Sequence, residues 1–383
     1  MRIGVIAPEF PPMLGGMAEL ARGLTQSLAT DDQIRVYSFP SPSAKSEAST
    51  FPFAHFDRIS GRPFQDLPWL VEDEPQVDVW LALNAGLIPL AGRLTKPFFC
   101  YLHGNDFINP WLACGPRWLE TFRRPYVADF RHHLRRRAIL AHLHSVRHVL
   151  TNSHQTADLI HRRLGLSDDR VSVVFPGVAD EFFQPNEPAK DSSLRILTVT
   201  RISRHTRRKN VDGVLRALAQ IGDRFPWTYT VVGDGDDRPR LEALAEELGL
   251  GDRVTFTGSV SFDQLLAAYR NADLFVLASR ATDKDVEGFG IVYMEASAGG
   301  APVICSREGG ATDAVREGVN GLLIDRSTPE SIAEGISRFV DQRESFNPDS
   351  VRAVAEEFRW PRIAARAREV LRQHLTDSEG GNA

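Results

Sequence analysis

Two carboxylates eight residues apart, Glu287 and Glu295, flank the stretch Gly288-Phe289-Gly290-Ile291, and this spacing suggests chemistry more directly than any other in the chain. A loop that turns into a helix at about Gly290 leaves the first amide N–H groups of that helix without internal partners. Those donors, at Phe289, Gly290 and Ile291, combine with the helix dipole to make a seat for an anion such as a diphosphate. Gly288 and Gly290 let the backbone come close to it, since neither carries a Cβ. Glu295 falls in the second turn, within reach of whatever the phosphate is attached to. Repulsion between anions keeps its carboxylate off the phosphate itself. It accepts instead from neighbouring hydroxyls of the kind a ribose or hexose presents. By spacing alone, the same pair also reads as a solvated loop acid and a helix-surface acid.

An anion seat needs cations, and Arg201-Ile202-Ser203-Arg204-His205-Thr206-Arg207-Arg208-Lys209 follows directly on a strand at 195–200. Arg201 and Lys209, held on a strand end, can neutralise a diphosphate leaving group. The segment also reads as a basic exposed loop, and Arg204, Arg207 and Arg208 leave the register of the arginine open. Upstream, His103 follows a strand at 97–102 and precedes Gly104, so it projects from the carboxyl end of that strand, although a lone histidine is more often structural. Gly15-Gly16 stands between a strand at 2–7 and a helix with Leu20, Leu24 and Leu28 on one face. It offers either a close backbone approach to a ligand or an ordinary tight turn.

The elements that must position these residues are strands and helices in alternation. They predict an α/β chain with two Rossmann-like, doubly wound domains and ligands at the carboxyl ends of the strands. A length of 383 residues suits two domains. The expected division is a first domain over 1–183, a second over 184–358, and a terminal helix with a disordered tail over 359–383. Residues 40–75 read as loops. The 42% apolar and 25% charged composition is that of a globular protein, and a net charge of −5 gives no drive toward nucleic acid. Cys100, Cys114 and Cys305 are scattered, which argues against a disulfide framework or zinc site and fits a cytoplasmic protein. The start does not read as a signal peptide, and no run of 18 apolar residues occurs, so any membrane contact is expected to be peripheral.

The run Glu-Gly-Phe-Gly-Ile-Val-Tyr-Met-Glu-Ala at 287–296, with Gly300-Ala301-Pro302-Val303-Ile304 and Gly309-Gly310 after it, resembles the donor-site signature of the retaining group 1 (family 4, GT4) glycosyltransferases of the GT-B fold. The Asp285-Val286 before it and the Ile291-Val292-Tyr293 within it are most similar to mannosyltransferases that decorate phosphatidylinositol. The resemblance covers about residues 194–330, and in the first half only Gly15-Gly16 and His103-Gly104. It implies a GT-B fold, with an acceptor-binding domain over 1–183, a nucleotide-sugar-binding domain over 184–358 and a terminal helix that crosses back to the first domain. It also implies transfer of a hexose, mannose favoured, from a nucleoside diphosphate sugar to a lipid-linked or saccharide acceptor, with retention and with neither a metal nor a cofactor. GDP-mannose leads as co-substrate, with a UDP-hexose as the alternative.

The resemblance also implies roles. Gly15, Gly16 and Gly233 approach the donor, and the backbone around Val260 reads the base. His103 bonds the transferred sugar, Glu287 holds its hydroxyls and Glu295 the ribose diol. Arg201 and Lys209, with the amides of Phe289, Gly290 and Ile291, stabilise the departing diphosphate. Asn-Gly-Val-Asp, often found in the family at 176–179, reads Pro-Gly-Val-Ala here, and those positions are assigned nothing.

Other features stay open. Asp234-Gly235-Asp236 contains an Asp-x-Asp that binds metal in another glycosyltransferase fold, but the helix after it fits a Gly-x-Gly turn. The Arg-rich stretch 117–148 reads either as a surface for an anionic membrane or lipid acceptor or as a solvated basic face. His142, His144 and His148 lack a carboxylate at metal-site spacing. A nucleotide-sugar epimerase would share the donor site. A nicotinamide-dependent oxidoreductase would require a Gly-x-Gly-x-x-Gly that follows neither opening strand. A non-catalytic subunit has no reason to keep both glutamates and both cations.

Overall fold

The structure is a computed structural model that describes all residues except 12, 14, 40–50, 58–62, 109–124, 185–192, 283–284 and 377–383. The chain forms two compact units, Met1–Gly177 with Trp360–Ala383, and Val178–Arg359.

In the first unit, seven described strands form one parallel sheet. They are β1 (Arg2–Ile6), β2 (Gln33–Ser38), β3 (Ala54–Asp57), β4 (Val79–Ala82), β5 (Phe98–Leu102), β6 (His148–Thr151) and β7 (Val171–Val173), in the order β3-β2-β1-β4-β5-β6-β7. Helices α1 (Gly16–Leu28), α2 (Pro63–Asp73), α3 (Asn105–Ile108), α4 (Pro125–His142) and α5 (His154–Leu164) belong to the same unit. Alternation along each strand sends successive side chains to opposite faces. Ile3 and Val5 therefore pack with Leu20 and Leu24 of α1, while Ile6, Trp80 and Leu102 join a second core on the other face. Both faces are covered, as a parallel sheet requires.

The second unit repeats the scheme with β8 (Leu194–Val199), β9 (Trp227–Val232), β10 (Val254–Gly258), β11 (Leu274–Leu277), β12 (Val303–Ser306) and β13 (Gly321–Ile324), in the parallel order β10-β9-β8-β11-β12-β13. Its helices are α6 (Val211–Ile221), α7 (Arg238–Glu247), α8 (Phe262–Arg270), α9 (Ile291–Gly299), α10 (Pro329–Asp341) and α11 (Pro348–Glu356). The order reverses between β1 and β4 in one sheet and between β8 and β11 in the other. Sheets of this kind bind ligands at such switch points.

The last helix, α12 (Trp360–Thr376), lays Ile363, Ala367, Val370 and Leu371 into the core beneath α1. Its Trp360 ring occupies the space that side chains at Gly23 and Gly177 would fill. A Cβ on either would lie 2.0 and 2.4 Å from the indole. Gly177 belongs to the first unit, and the chain passes between the units at 177/178 and 359/360.

The reading of 40–75 as loops is corrected where the structure describes it. Residues 54–57 form β3 beside β2, and Pro63–Asp73 is a helix despite Pro68 inside it. Pro63 falls in the first turn, where a missing N–H costs nothing. Residues 40–50 and 58–62 lie outside the described residues, as do 185–192 of the expected linker and the 377–383 tail.

Candidate functional site

At the switch point of the second sheet, β8 delivers Thr200 and Arg201 into a turn of 3-10 helix over Arg204–Lys209. Ser203 N opens that turn by donating to Thr206 Oγ1 at 3.0 Å. The turn lies close under the end of β9. A Cβ on Gly233 would sit 1.8 Å from Thr200 O, and one on Gly235 would sit 1.9 Å from Ile202 O. Gly233 thus has a structural reason to be glycine whatever else it touches. From the neighbouring β11 the chain runs through Ser279 and Asp285 to Glu287 and then into α9.

The two segments meet at one oxygen. Glu287 is 7% exposed, and its Oε2 takes Lys209 Nζ at 2.5 Å, Arg208 Nη1 at 3.1 Å and Ser279 Oγ at 3.1 Å. Arg208 also meets Asp285 through its Nε, 2.6 Å from Oδ2. Burial alone would raise the Glu287 pKa, but Lys209 and Arg208 outweigh it and hold the carboxyl at about 2. Burial lowers the Lys209 pKa, and Arg208 and Arg201 lower it further against the pull of Glu287. Burial also disfavours the charged Arg208, yet Glu287 and Asp285 carry its pKa upward.

Two carboxylates thus face two cations, which leaves Arg201 as surplus positive charge. Its side chain is exposed and, among the described residues, in no ion pair. Arg201 and Lys209 line a common hollow with Ser203, Arg207 and Asp237. The other arginines of the run are engaged elsewhere: Arg207 bonds Asp237 at 2.5 Å, and Arg204 N bonds Asp236 at 2.8 Å. The Asp-x-Asp is accordingly held by local partners. Asp237, just after it, lies between Arg207 and Arg240, and Asp234 accepts from Gly235 N.

Helix α9 starts at Ile291, with Gly290 as its N-cap in the left-handed region (φ 80°, ψ 69°). Of the two glycines in the loop, Gly290 alone has such a φ. A Cβ there would also lie 2.3 Å from the Tyr293 ring. Phe289 is buried against Phe358, with ring centroids 5.6 Å apart. Glu295 is half-buried in the second turn, and Tyr269 Oη donates to its Oε2 at 2.6 Å. Val260 is half-buried ahead of α8, whose Ser261–Gln264 capping box is formed in both directions.

In the first unit, Gly15 caps α1 with φ 145°, and a side chain at Gly16 would meet no atom within 4 Å. His103 follows β5, its ring Nε2 3.1 Å from Leu83 O, while its backbone N donates to Asp106 at 3.0 Å. The buried Asp106 also accepts from Ala85 N at 2.9 Å, and so fixes the turn that presents the imidazole.

The Arg-rich stretch falls partly outside the described residues, which resume at 125 with α4. There Leu134 and Leu140 are exposed beside Arg135, Arg136 and Arg137. His142 Nδ1 contacts Ala138 O and His148 Nε2 contacts Ser172 Oγ, so each has a local partner. Sequence reasoning missed Ser279 and the engagement of Arg208 and Asp285. Position at the end of a strand next to the switch point is the one signal that would have picked out Ser279.

Comparison with known proteins adds to this geometry. The family described as "Glycosyl transferases group 1" matches residues 180–352, and the one described as "Glycosyltransferase Family 4" matches residues 14–182. An uncharacterized glycosyltransferase of Methanocaldococcus jannaschii is 30% identical over 407 residues, covering 95% of this chain and 96% of its own. The GDP-mannose-dependent alpha-(1-6)-phosphatidylinositol monomannoside mannosyltransferase of Mycobacterium tuberculosis is 34% identical over 210 residues, 51% of this chain and 54% of that protein. The match thus spans about half the length of that relative. Among solved structures, Anabaena HepE in complex with UDP superposes with a TM-score of 0.75 at 20% identity, covering 97% of this chain and 100% of that one. At that identity the similarity shows the fold, two parallel-sheet domains of the GT-B type.

Proposed function

We propose, for a chain that belongs to the group 1 glycosyltransferases, that it moves a hexose from a nucleoside diphosphate sugar to an acceptor hydroxyl, with retention at the anomeric carbon and without a metal. The observation that carries this reading is the Lys209–Glu287–Arg208 cluster at the switch point, beside the amino end of α9. The diphosphate gains negative charge as the glycosidic bond breaks. Arg201, Lys209 and the amides of Phe289, Gly290 and Ile291 meet that charge where it builds up. Lys209, seated on Glu287, and the amides at the start of α9 are in place before the reaction and need no reorganisation during it.

A carboxylate has about four lone-pair sites. Glu287 uses part of that capacity to hold the two cations and offers the rest to hydroxyls of the transferred sugar. Glu295, oriented by Tyr269, takes the ribose diol, and the backbone near Val260 and Gly233 lies against the nucleoside. In the first unit His103 positions a hydroxyl of the transferred sugar, and Gly15 and Gly16 approach the donor. The residues supply no evident nucleophile for a covalent route, so retention is ascribed to attack on the same face, with the leaving phosphate taking the acceptor's proton.

GDP-mannose is the favoured donor, because a relative named as GDP-mannose-dependent is 34% identical to this chain over 210 residues. The acceptor is a lipid-linked or saccharide hydroxyl. A thermal-shift panel of GDP, UDP and ADP with their sugars tests the donor, since a ligand that binds only the folded state raises stability by mass action. A selective shift with GDP and GDP-mannose is expected. A shift with UDP-sugars alone would move the assignment to a UDP-hexose, and no shift with any nucleotide would remove the proposal. Consumption of donor without acceptor, giving an epimer, would indicate an epimerase instead.

A further inference from the structure

Asn210 is the only non-glycine residue among those described with φ in the left-handed region (φ 61°, ψ 32°). It directly follows Lys209, stands at the start of α6 and is 0% exposed. Asparagine at a helix start usually caps the helix with its side chain. Here the side chain makes no such bond. Its Nδ2 donates instead to Ala278 O at 2.9 Å, just past β11, and to Ser327 O at 2.8 Å, ahead of α10. Both donors of the amide are therefore used, on two separate segments of the unit.

Ala278 precedes Ser279, whose hydroxyl bonds Glu287, and Arg280 N donates to Arg208 O at 2.7 Å. The turn that carries Arg208 and Lys209 is thereby fastened to the strand end that leads to Glu287. Glycine would adopt this φ at less cost, so backbone conformation alone does not account for an asparagine. The surroundings make room for the amide: a Cβ on Gly213 would lie 2.2 Å from Asn210 Oδ1.

We propose that Asn210 is a positioning residue for the transfer reaction, setting Lys209 Nζ and Arg208 against Glu287 by tying their turn to the ends of two neighbouring segments. The inference rests on the reading of Lys209 as the cation that meets the leaving diphosphate. Asn210→Gly keeps the left-handed backbone and deletes both donors. Asn210→Asp keeps the shape but turns oxygens toward the two carbonyls, and serves where the glycine variant does not fold.

The first readout is the rate at which an amine-reactive reagent labels Lys209, followed by peptide mass spectrometry with Lys96 in the first unit as internal reference. It reads the seat of Lys209 whether or not the chain transfers sugar, so it stands or falls separately from the proposed activity. Lys209 should label several-fold faster in both variants while Lys96 is unchanged. The second readout is kinetic. Misplacing a reacting group by on the order of 1 Å costs about 100-fold, so kcat should fall by that order while KM for the donor changes little. A residue that merely stabilises the fold would lower the melting temperature and leave both readouts alone. Wild-type labelling of Lys209 together with wild-type kcat in a folded variant would overturn the assignment.

Discussion

At Glu287 two cations outweigh the cost of burial, and this sets what substitution there does to the rest of the cluster. Glu287→Ala leaves Arg208 and Lys209 half-enclosed and without their shared partner. Removing one member of a buried pair costs about 3–5 kcal/mol, a loss that urea unfolding would show as a lowered midpoint. Lys209→Ala acts differently, because Arg208 and Ser279 still hold the carboxylate. Its fold should persist while turnover of the sugar nucleotide drops by about 100- to 1,000-fold, the usual cost of losing one group that stabilises charge in the transition state. Steady-state kinetics on the folded variant checks this, and unchanged kcat would detach Lys209 from the chemistry. Sequence alone marked both residues but not the division of labour among the arginines. Which of Arg201, Arg204, Arg207 and Arg208 turns inward depends on the 3-10 turn over 204–209, a conformation that a run of basic residues does not announce.

Elements carry the site through their ends, and α9 depends on one backbone conformation. Gly290 needs its positive φ to cap the helix, and Tyr293 fills the space next to it. Gly290→Ala imposes the left-handed penalty of about 1–2 kcal/mol plus the displacement of the ring. Nucleotide affinity measured by calorimetry should fall more than global stability does, because the first-turn amides move. Equal affinity in the two proteins would show that these amides do not face the ligand. This helix start was readable because glycines interrupt a helical pattern at a defined point. The strand at 54–57 and the helix at 63–73 were not. Pro63 and Pro68 mimic a loop in sequence, and β3 earns its place only by pairing with β2. Ser279 gave no local signal either, since its role comes from the strand order.

Across the whole chain, the last helix returns to the first unit and closes it. Arg368 of α12 bonds the buried Asp32 at 2.6 Å, and His374 stacks on His148 of β6 with ring centroids 3.7 Å apart. Burial lowers the His148 pKa from 6.5 to about 4, helped by His374 and Arg170 and opposed by Asp169. The unfolded chain therefore binds a proton that the folded one refuses, and stability rises with pH through that window. Acidification from about 6.5 to about 4 should weaken the fold progressively. His148→Gln should flatten that part of the profile in thermal unfolding measured against pH, and an unchanged slope would place the titration elsewhere. The repeated strand–helix plan made both sheets legible in the sequence, because parallel strands covered on both faces leave continuous apolar runs. The points where the chain passes from one unit to the other were less legible. They are fixed by the Trp360 ring against Gly23 and Gly177, a contact between distant residues.

On the proposed function, the cations and the helix start at the second sheet's switch point receive a nucleoside diphosphate. The most direct measurement is a crystal structure of the protein soaked with GDP or UDP. Density for the diphosphate is expected against Lys209, Arg201 and the amides of 289–291, with Glu295 on the ribose. A diphosphate bound elsewhere, with Arg201 facing solvent, would contradict it.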